Sequence, residues 1–294
     1  MRKYLHLERL CVEAPGPVSL DRHFTDLPLE LGKKELKDLV QDDVERIAEL
    51  QRRLFAEDKR SLLLIFQAMD AAGKGSCIRH VMSGINPQGC QVWSFKAPSK
   101  EELDHDFLWR HMRALPERGR IGIHDRSHYE EVLVVKVHPE YLLGQRLPGI
   151  DQVSDVNADL WEARYESIRS MESHLARQGV VIMKFFLHMR PEIQKERLLE
   201  RIKDPSKNWK FSIGDVEERT HWDRYMSAYE EAIGSTAAAH APWFIVPADE
   251  QWESRAIVAR LIREQMEEMD PQYPTLSEKL QVELAEGERR LMEE

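Results

Sequence analysis

The feature that most constrains this chain is an unbroken apolar run, SLLLIFQ at 61–67, which leads straight into AMDAAGKGS at 68–76 and then the helix-like CIRHVMSGI. A run with no polar face predicts a strand covered on both sides, the usual situation in a parallel sheet. Further strands are predicted at 91–96, 120–124, 180–187 and 243–246. Helices are predicted at 33–58 and at about 74–84, 101–115, 127–136, 158–177, 191–202, 215–233 and 251–268. In the first of these, Leu36, Leu39, Val40, Val44, Ile47, Leu50 and Leu54 recur every three or four residues. The alternation implies an α/β fold with a mostly parallel central sheet and helices on both sides. Ligands in such sheets sit beyond the carboxyl ends of the strands, so functional residues should gather just after 67, 96, 124 and 187.

The segment after the first strand has the strand–loop–helix context of a phosphate loop. Backbone N–H groups of Ala71, Ala72, Gly73, Gly75 and Ser76 would face phosphate oxygens, the helix N-terminus would favour negative charge, and Lys74 would reach the transferring phosphate. The match to G-x-x-x-x-G-K-[ST] is incomplete: Ala68 takes the first glycine position and Gly75 the hydroxyl position, with Ser76 one residue later. Asp70 inside such a cradle would repel a phosphate unless a divalent cation sat between them. It reads as an Mg²⁺ ligand or an acid–base group, against the plainer alternative of a loop Asp that caps backbone N–H groups.

A second acidic motif, Asp125-Arg126-Ser127-His128-Tyr129-Glu130, follows the predicted strand at 120–124. An acid at the end of a neighbouring parallel strand is where phosphoryl-transfer enzymes hold their metal, which makes Asp125 the partner of Asp70. Arg126 can clamp a phosphate with its planar fork, and Glu130 can orient either group or the metal's waters. Asp125 also suits helix capping, Ser127 reads as a cap, and His124, His128 and His138 lack the spacing of a zinc site.

From 197 to 212 the chain reads RLLERIKDPSKNWKFS, a basic patch on an otherwise acidic protein. Arg197 and Arg201 share a helix face by their four-residue spacing, and Lys203, Lys207 and Lys210 follow in a Pro-broken loop. A lid over about 197–215 that grips successive phosphates and excludes water is one reading; a solvated helix end, with Glu196, Glu200 and Asp204 interspersed, is the other. Trp209 and Phe211 suit either stacking on a base or packing at the lid's hinge.

Charge bounds the partners. With 42 basic against 52 acidic residues the net charge is −10, which opposes generic binding to nucleic acid or an anionic membrane. Cys11, Cys77 and Cys90 are too scattered for a disulfide framework, and no stretch approaches the roughly 20 apolar residues of a membrane span, so a cytoplasmic location is expected. Residues 1–32, with Pro15, Pro17 and Pro28, read as an extended arm, 33–268 as the phosphotransferase domain and 269–294 as an acidic tail.

Five ordered blocks resemble the polyphosphate kinase 2 family, in its branch accepting both nucleoside mono- and diphosphates. They are FQAMDAAGKGS at 66–76, NPQGCQVWSFKAPSKEELDHDFLWR at 86–110, LPERGRIGIHDRSHYEEVLVVKVHPE at 115–140, DPSKNWKFS at 204–212 and APWFIVPAD at 241–249. The resemblance implies a three-layer P-loop kinase fold with a helical lid, Mg²⁺ dependence, and dimers or tetramers. It implies polyphosphate as donor, and AMP, ADP, GMP or GDP as acceptor. By motif position Asp70 and Lys74 fall on the family's first catalytic loop and Asp125 and Arg126 on its second acidic motif. Arg197, Arg201, Lys203, Lys207 and Lys210 fall on its lid. The chain departs from the branch at Asp125, where Asn is common, and at Gly75, where Asp is common. Two rival readings share the loop: an ATP-dependent nucleoside monophosphate kinase and a non-catalytic phosphate or nucleotide sensor.

Overall fold

The structure is a computed structural model that describes residues 7–27 and 31–294. Pro28 and the first six residues, part of the expected arm, lie outside the described residues. The strands are β1 (Cys11–Val12), β2 (Ser61–Ala68), β3 (Cys90–Ser94), β4 (Ile121–Asp125), β5 (Val180–His188) and β6 (Trp243–Pro247). The helices of eight residues or more are α1 (Lys33–Glu57), α2 (Lys74–Val81), α3 (Ala158–Arg177), α4 (Pro191–Lys203), α5 (Trp222–Thr236), α6 (Gln251–Met269) and α7 (Glu278–Met292).

β2 is buried at every position and runs parallel to β4 on one side and β5 on the other. The sheet order is β1-β6-β5-β2-β4-β3, with β1 antiparallel and the remaining described pairs parallel. The period of two explains why the strand reads as continuous apolar sequence. Leu62, Leu64 and Phe66 join one core with Ile47, Leu50 and Leu54 of α1 and Ile257 and Ile262 of α6. Leu63 and Ile65 join the opposite core with Tyr165 and Ile168 of α3 and Tyr225, Tyr229 and Ile233 of α5. Both faces are therefore occupied, giving helix–sheet–helix layers.

Four local features depart from the sequence expectation. The strand predicted at 120–124 takes in Asp125, which pairs with Phe66 and Ser94 and so has its backbone held within the sheet. The helix predicted at 101–115 is two single turns, Lys100–Leu103 and Trp109–Met112, broken where the Asp106 carboxylate accepts from the Leu108 N–H at 2.9 Å. The one predicted at 127–136 is a 3₁₀ turn, His128–Glu131, opened by the Ser127 hydroxyl accepting from Tyr129 N–H, and a short helix Val134–Val137. Competing side-chain-to-backbone bonds of this kind shorten helices. The helix predicted at 215–233 divides into a short helix Ile213–Glu218, a 3₁₀ turn Arg219–His221 and α5.

Residues 7–27 lie against the chain's own body. Leu7, Leu10 and Leu20 are buried, and Gly16 N–H donates to Gly234 O at 3.0 Å. A Cβ on Gly234 would sit 2.4 Å from Gly16 O, so that close approach requires glycine. β1 was not legible in advance, because two residues carry no periodic pattern and their pairing is dictated by the free edge of β6.

Candidate active site

β2 ends at Ala68, and the chain turns through two left-handed positions, Ala71 at φ 64° and Gly73 at φ 102°, before α2 begins. Glycine adopts this backbone freely, whereas Ala71 does so at a cost typical of strained functional loops. Ala72 N–H closes the turn on Met69 O at 3.2 Å. The N–H groups of Lys74, Gly75 and Ser76, in the first turn of α2, have no acceptor inside the helix, as at any helix start. Lys74 Nζ donates to Ala68 O at 2.8 Å. Burial pushes the Lys74 pKa down, with the Arg126 guanidinium adding to it, while Asp70, Asp125 and Glu130 pull the other way.

β4 carries Asp125 to the same rim, and Arg126 leaves the strand at φ 64° with its N–H on Phe66 O at 3.1 Å. Arg126 Nη2 donates to Asp70 Oδ1 at 2.9 Å, and Nη1 lies 3.8 Å from Glu130 Oε2. Desolvation opposes the Arg126 charge, yet Glu130 and Asp70 hold its pKa above the ordinary value. Glu130 shifts upward through burial, resisted by Arg126 and Lys74. Behind it stands Gln67, fully buried. With its amide nitrogen toward Glu130, Gln67 donates to Glu130 Oε1 at 2.8 Å, and its oxygen accepts from Ser127 N at 3.1 Å. A Cβ on Gly75 would lie 3.9 Å from Asp125 Oδ2, so the missing side chain leaves room next to that carboxylate.

Of these groups Asp70, Lys74, Asp125 and Arg126 open onto one cleft of about 630 Å³, whereas Glu130 and Gln67 stand behind it. Its walls include Asp70, all of the loop from Ala71 to Ser76, Asp125 and Arg126, and from the lid Arg201 and Lys210. Arg79, Lys96 and Phe95 are further members. The available donors for a metal are hard carboxylate oxygens; the nearby Cys77 thiol is buried and pushed up to about 12. Two carboxylates lining one cleft, Asp70 and Asp125, suit a Mg²⁺-like cation, which takes one or two protein ligands and completes its shell with phosphate and water.

The cations of the segment expected to form a lid are not equivalent. Arg201 pairs with Asp215 at 3.0 Å while lining the cleft. Lys210 also lines it, with its ammonium 4.9 Å from the Trp209 ring centre. Lys207 is engaged by Glu200 at 2.6 Å, and Lys203 is exposed outside the cleft lining. Arg197 turns inward: Nη1 donates to Ala72 O at 3.0 Å, and Nη2 to Ala248 O and Asp249 O, each at 2.8 Å. Its guanidinium ties the phosphate loop to the end of β6. Trp209 is 78% exposed and lines neither this cleft nor its neighbour.

A second cavity of about 460 Å³ adjoins the first and shares Lys96, Ala97 and Arg126 with it. Pro98, Leu103, Val134, Val135 and Tyr141 give it apolar walls, with Glu130, Glu131 and Gln145 as polar members. Sequence reasoning pointed to the region after 96 but named neither Lys96 nor Arg79. Arg255 was also missed. It reaches across from α6 and donates to Ser76 Oγ at 2.9 Å. No motif joins residues so far apart in sequence.

The family model described as polyphosphate kinase 2 matches residues 30–274. The ADP-polyphosphate phosphotransferase of Rhodopseudomonas palustris is 49% identical over 265 residues, covering 90% of this chain and 91% of that protein. The AMP/ADP-polyphosphate phosphotransferase of Meiothermus ruber is 42% identical over 241 residues, covering 81% and 85%. The crystal structure of polyphosphate kinase 2 from Arthrobacter aurescens TC1 superposes with a TM-score of 0.84 at 38% identity, covering 95% of this chain and 94% of that one. With a phosphate loop, two strand-end carboxylates and a cationic cleft already in place, a match of this extent leaves one assignment: the chain is a phosphotransferase and belongs to the polyphosphate kinase 2 family.

Proposed function

We propose that this chain moves the terminal phosphoryl group of inorganic polyphosphate onto AMP or ADP, with GMP and GDP as further acceptors, by a Mg²⁺-dependent in-line transfer. The observation that carries the reading is that Lys74, Asp70, Asp125 and Arg126 meet on one cleft that also takes in cations from other segments: Arg79, Lys96, Arg201 and Lys210. An acidic protein has concentrated positive charge where a condensed phosphate chain would lie.

Asp70 and Asp125 would hold the divalent ion, which supplies charge neutralisation between donor and acceptor phosphates. The chain's own groups do the rest. The N–H groups at the start of α2 and Lys74 grip the transferring phosphate, Arg126 spans donor and acceptor, and Glu130, backed by Gln67, keeps Arg126 in place. Arg201 and Lys210 hold the polyphosphate and close the cleft against water. Little covalent work is required, because positioning and charge dominate phosphoryl transfer. The nucleoside fits the adjoining apolar cavity, whose entrance at Arg126 and Lys96 is where its phosphates would cross. Among the described residues no helix is long and apolar enough to cross a membrane, and all three cysteines are free, which supports a cytoplasmic enzyme.

The test is incubation with ADP or AMP, Mg²⁺ and polyphosphate in the absence of ATP. Formation of the next higher nucleotide is expected. Phosphorylation that requires ATP would instead make the chain a nucleoside monophosphate kinase, and binding without turnover would make it a sensor.

A further inference from the structure

Beyond the family-matched residues 30–274 the chain forms α7, Glu278–Met292, and none of its residues is buried. An isolated helix of this length is marginal in water, so one that buries none of its residues on its own chain gains from another partner. Four of its residues follow a seam, with Val282 and Met292 off it: Leu280, Leu284, Gly287 and Leu291 recur at intervals of four, three and four, the spacing of a coiled coil. Leu280, Leu284 and Leu291 are exposed at 41%, 54% and 72%. Gly287 sits mid-helix, where glycine destabilises, yet nothing of its own chain lies within 4 Å of where its Cβ would be. Its own fold gives no reason for the glycine; close approach by another helix does.

We propose that α7 pairs antiparallel with α7 of a second copy of this chain. The charges bordering the seam choose both partner and direction. Glu283 and Arg290 flank it on one side, Gln281 and Glu288 on the other. In a parallel pair, opposite flanks meet and Glu283 faces Glu288 of the second copy, a repulsion repeated by symmetry. In an antiparallel pair, like flanks meet: Glu283 lies beside Arg290 of the second copy, twice, and Gln281 beside Glu288, twice. Leu280 then meets Leu291, and Leu284 packs over Gly287. At about 1.5 Å per residue the seam is short, so association through it is weak and concentration-dependent. Residues 270–277, with Pro271 and Pro274, form no regular element and separate α7 from α6 along the chain.

The experiment is sedimentation of the full-length protein over a concentration series. Leu284→Glu with Leu291→Glu is expected to halve the associated mass while leaving the melting temperature of the catalytic body unchanged; wild-type mass in this variant overturns the proposal. Glu283→Arg alone and Arg290→Glu alone each set like charges together and should weaken association about tenfold. An equimolar mixture of these two single variants restores both cross pairs, so it should associate about as strongly as the wild type. If the mixture stays as weak as its components, the antiparallel pairing is wrong. None of these readouts depends on the substrate, so their failure and a failure of the polyphosphate reading are separable.

Discussion

Two ion-pair groups in this protein lie on opposite sides of the same motif and differ in what remains for them to bind. At the cleft, Arg126 meets Asp70 at 2.9 Å with its side chain 40% exposed. Below the sheet, Lys184 of β5 meets Glu172 of α3 at 2.7 Å with both side chains almost completely buried. Lys184 spends all three N–H groups, on Glu172 Oε2, Tyr129 Oη at 3.0 Å and Thr236 O at 2.8 Å. Tyr129 Oη in turn donates to Glu172 Oε1 at 2.8 Å. Lys74, by contrast, has one protein acceptor among the described residues, Ala68 O. The buried set is complete as it stands and holds the 128–131 turn in place from beneath. The rim set has donors and carboxylates left over, as a site that receives charged ligands must.

The largest difference should appear on removing each lysine. Lys74→Ala is expected to lower polyphosphate-dependent turnover by about 10³-fold or more with little change in stability, because it deletes a cation aimed at the transferring phosphate. Lys184→Met should instead cost about 3–5 kcal/mol in chemical denaturation, since Glu172 would be left buried and unpaired. If the two variants behave alike, the contrast drawn above is false. The double variant Lys184→Met with Glu172→Leu sharpens it: removing both charges should recover most of the lost stability, while Asp70→Asn combined with Lys74→Ala should recover no activity.

Acid exposes the frame next. Burial lowers the pKa of His124 and of His188 to about 4 in each case, from an ordinary 6.5. At these two positions the unfolded chain takes up protons between these values while the folded chain does not, so their contribution lowers stability as pH drops from about 6.5 to about 4 and levels off below. Each group contributes at most about 3 kcal/mol by this route, and His124→Gln should flatten the denaturation profile over that window. A profile unchanged by that substitution would show that His124 charges in the fold.

The smallest effects separate the lid cations. Lys210→Ala is expected to raise the polyphosphate KM several-fold, and more at low salt, since it removes an exposed charge from the cleft wall. Lys207→Ala, whose ammonium is held by Glu200, should leave KM within about twofold, the usual yield of an exposed pair. Equal effects would mean that the lid rearranges on closing and that the positions seen here do not rank its cations.

Much of this was readable from residue order. The 61–67 run announced a strand buried on both faces because its middle, Leu62 to Phe66, has no polar member on either side of a period of two, and Leu62 and Leu63 do lie in opposite cores. AAGKG and the DRSHYE motif marked two strand ends, and the rule that ligands sit beyond them brought Asp70, Lys74, Asp125 and Arg126 together before any coordinates. The segment 197–212 was legible only as a basic patch. Four-residue spacing put Arg197 and Arg201 on one face, yet it could not reveal that Arg197 is used up on the carbonyls of Ala72, Ala248 and Asp249.

Local order along the chain thus determined the layered fold, the phosphate loop and the acidic motif, because each depends on neighbours within one strand, turn or helix. Tertiary structure alone decided which cations face the cleft, that Arg255 holds Ser76, that Gln67 backs Glu130, and that Lys184 finds Glu172, Tyr129 and Thr236. Those contacts join residues tens to hundreds of positions apart, and whether a side chain has donors to spare depends on what the completed fold has already placed around it.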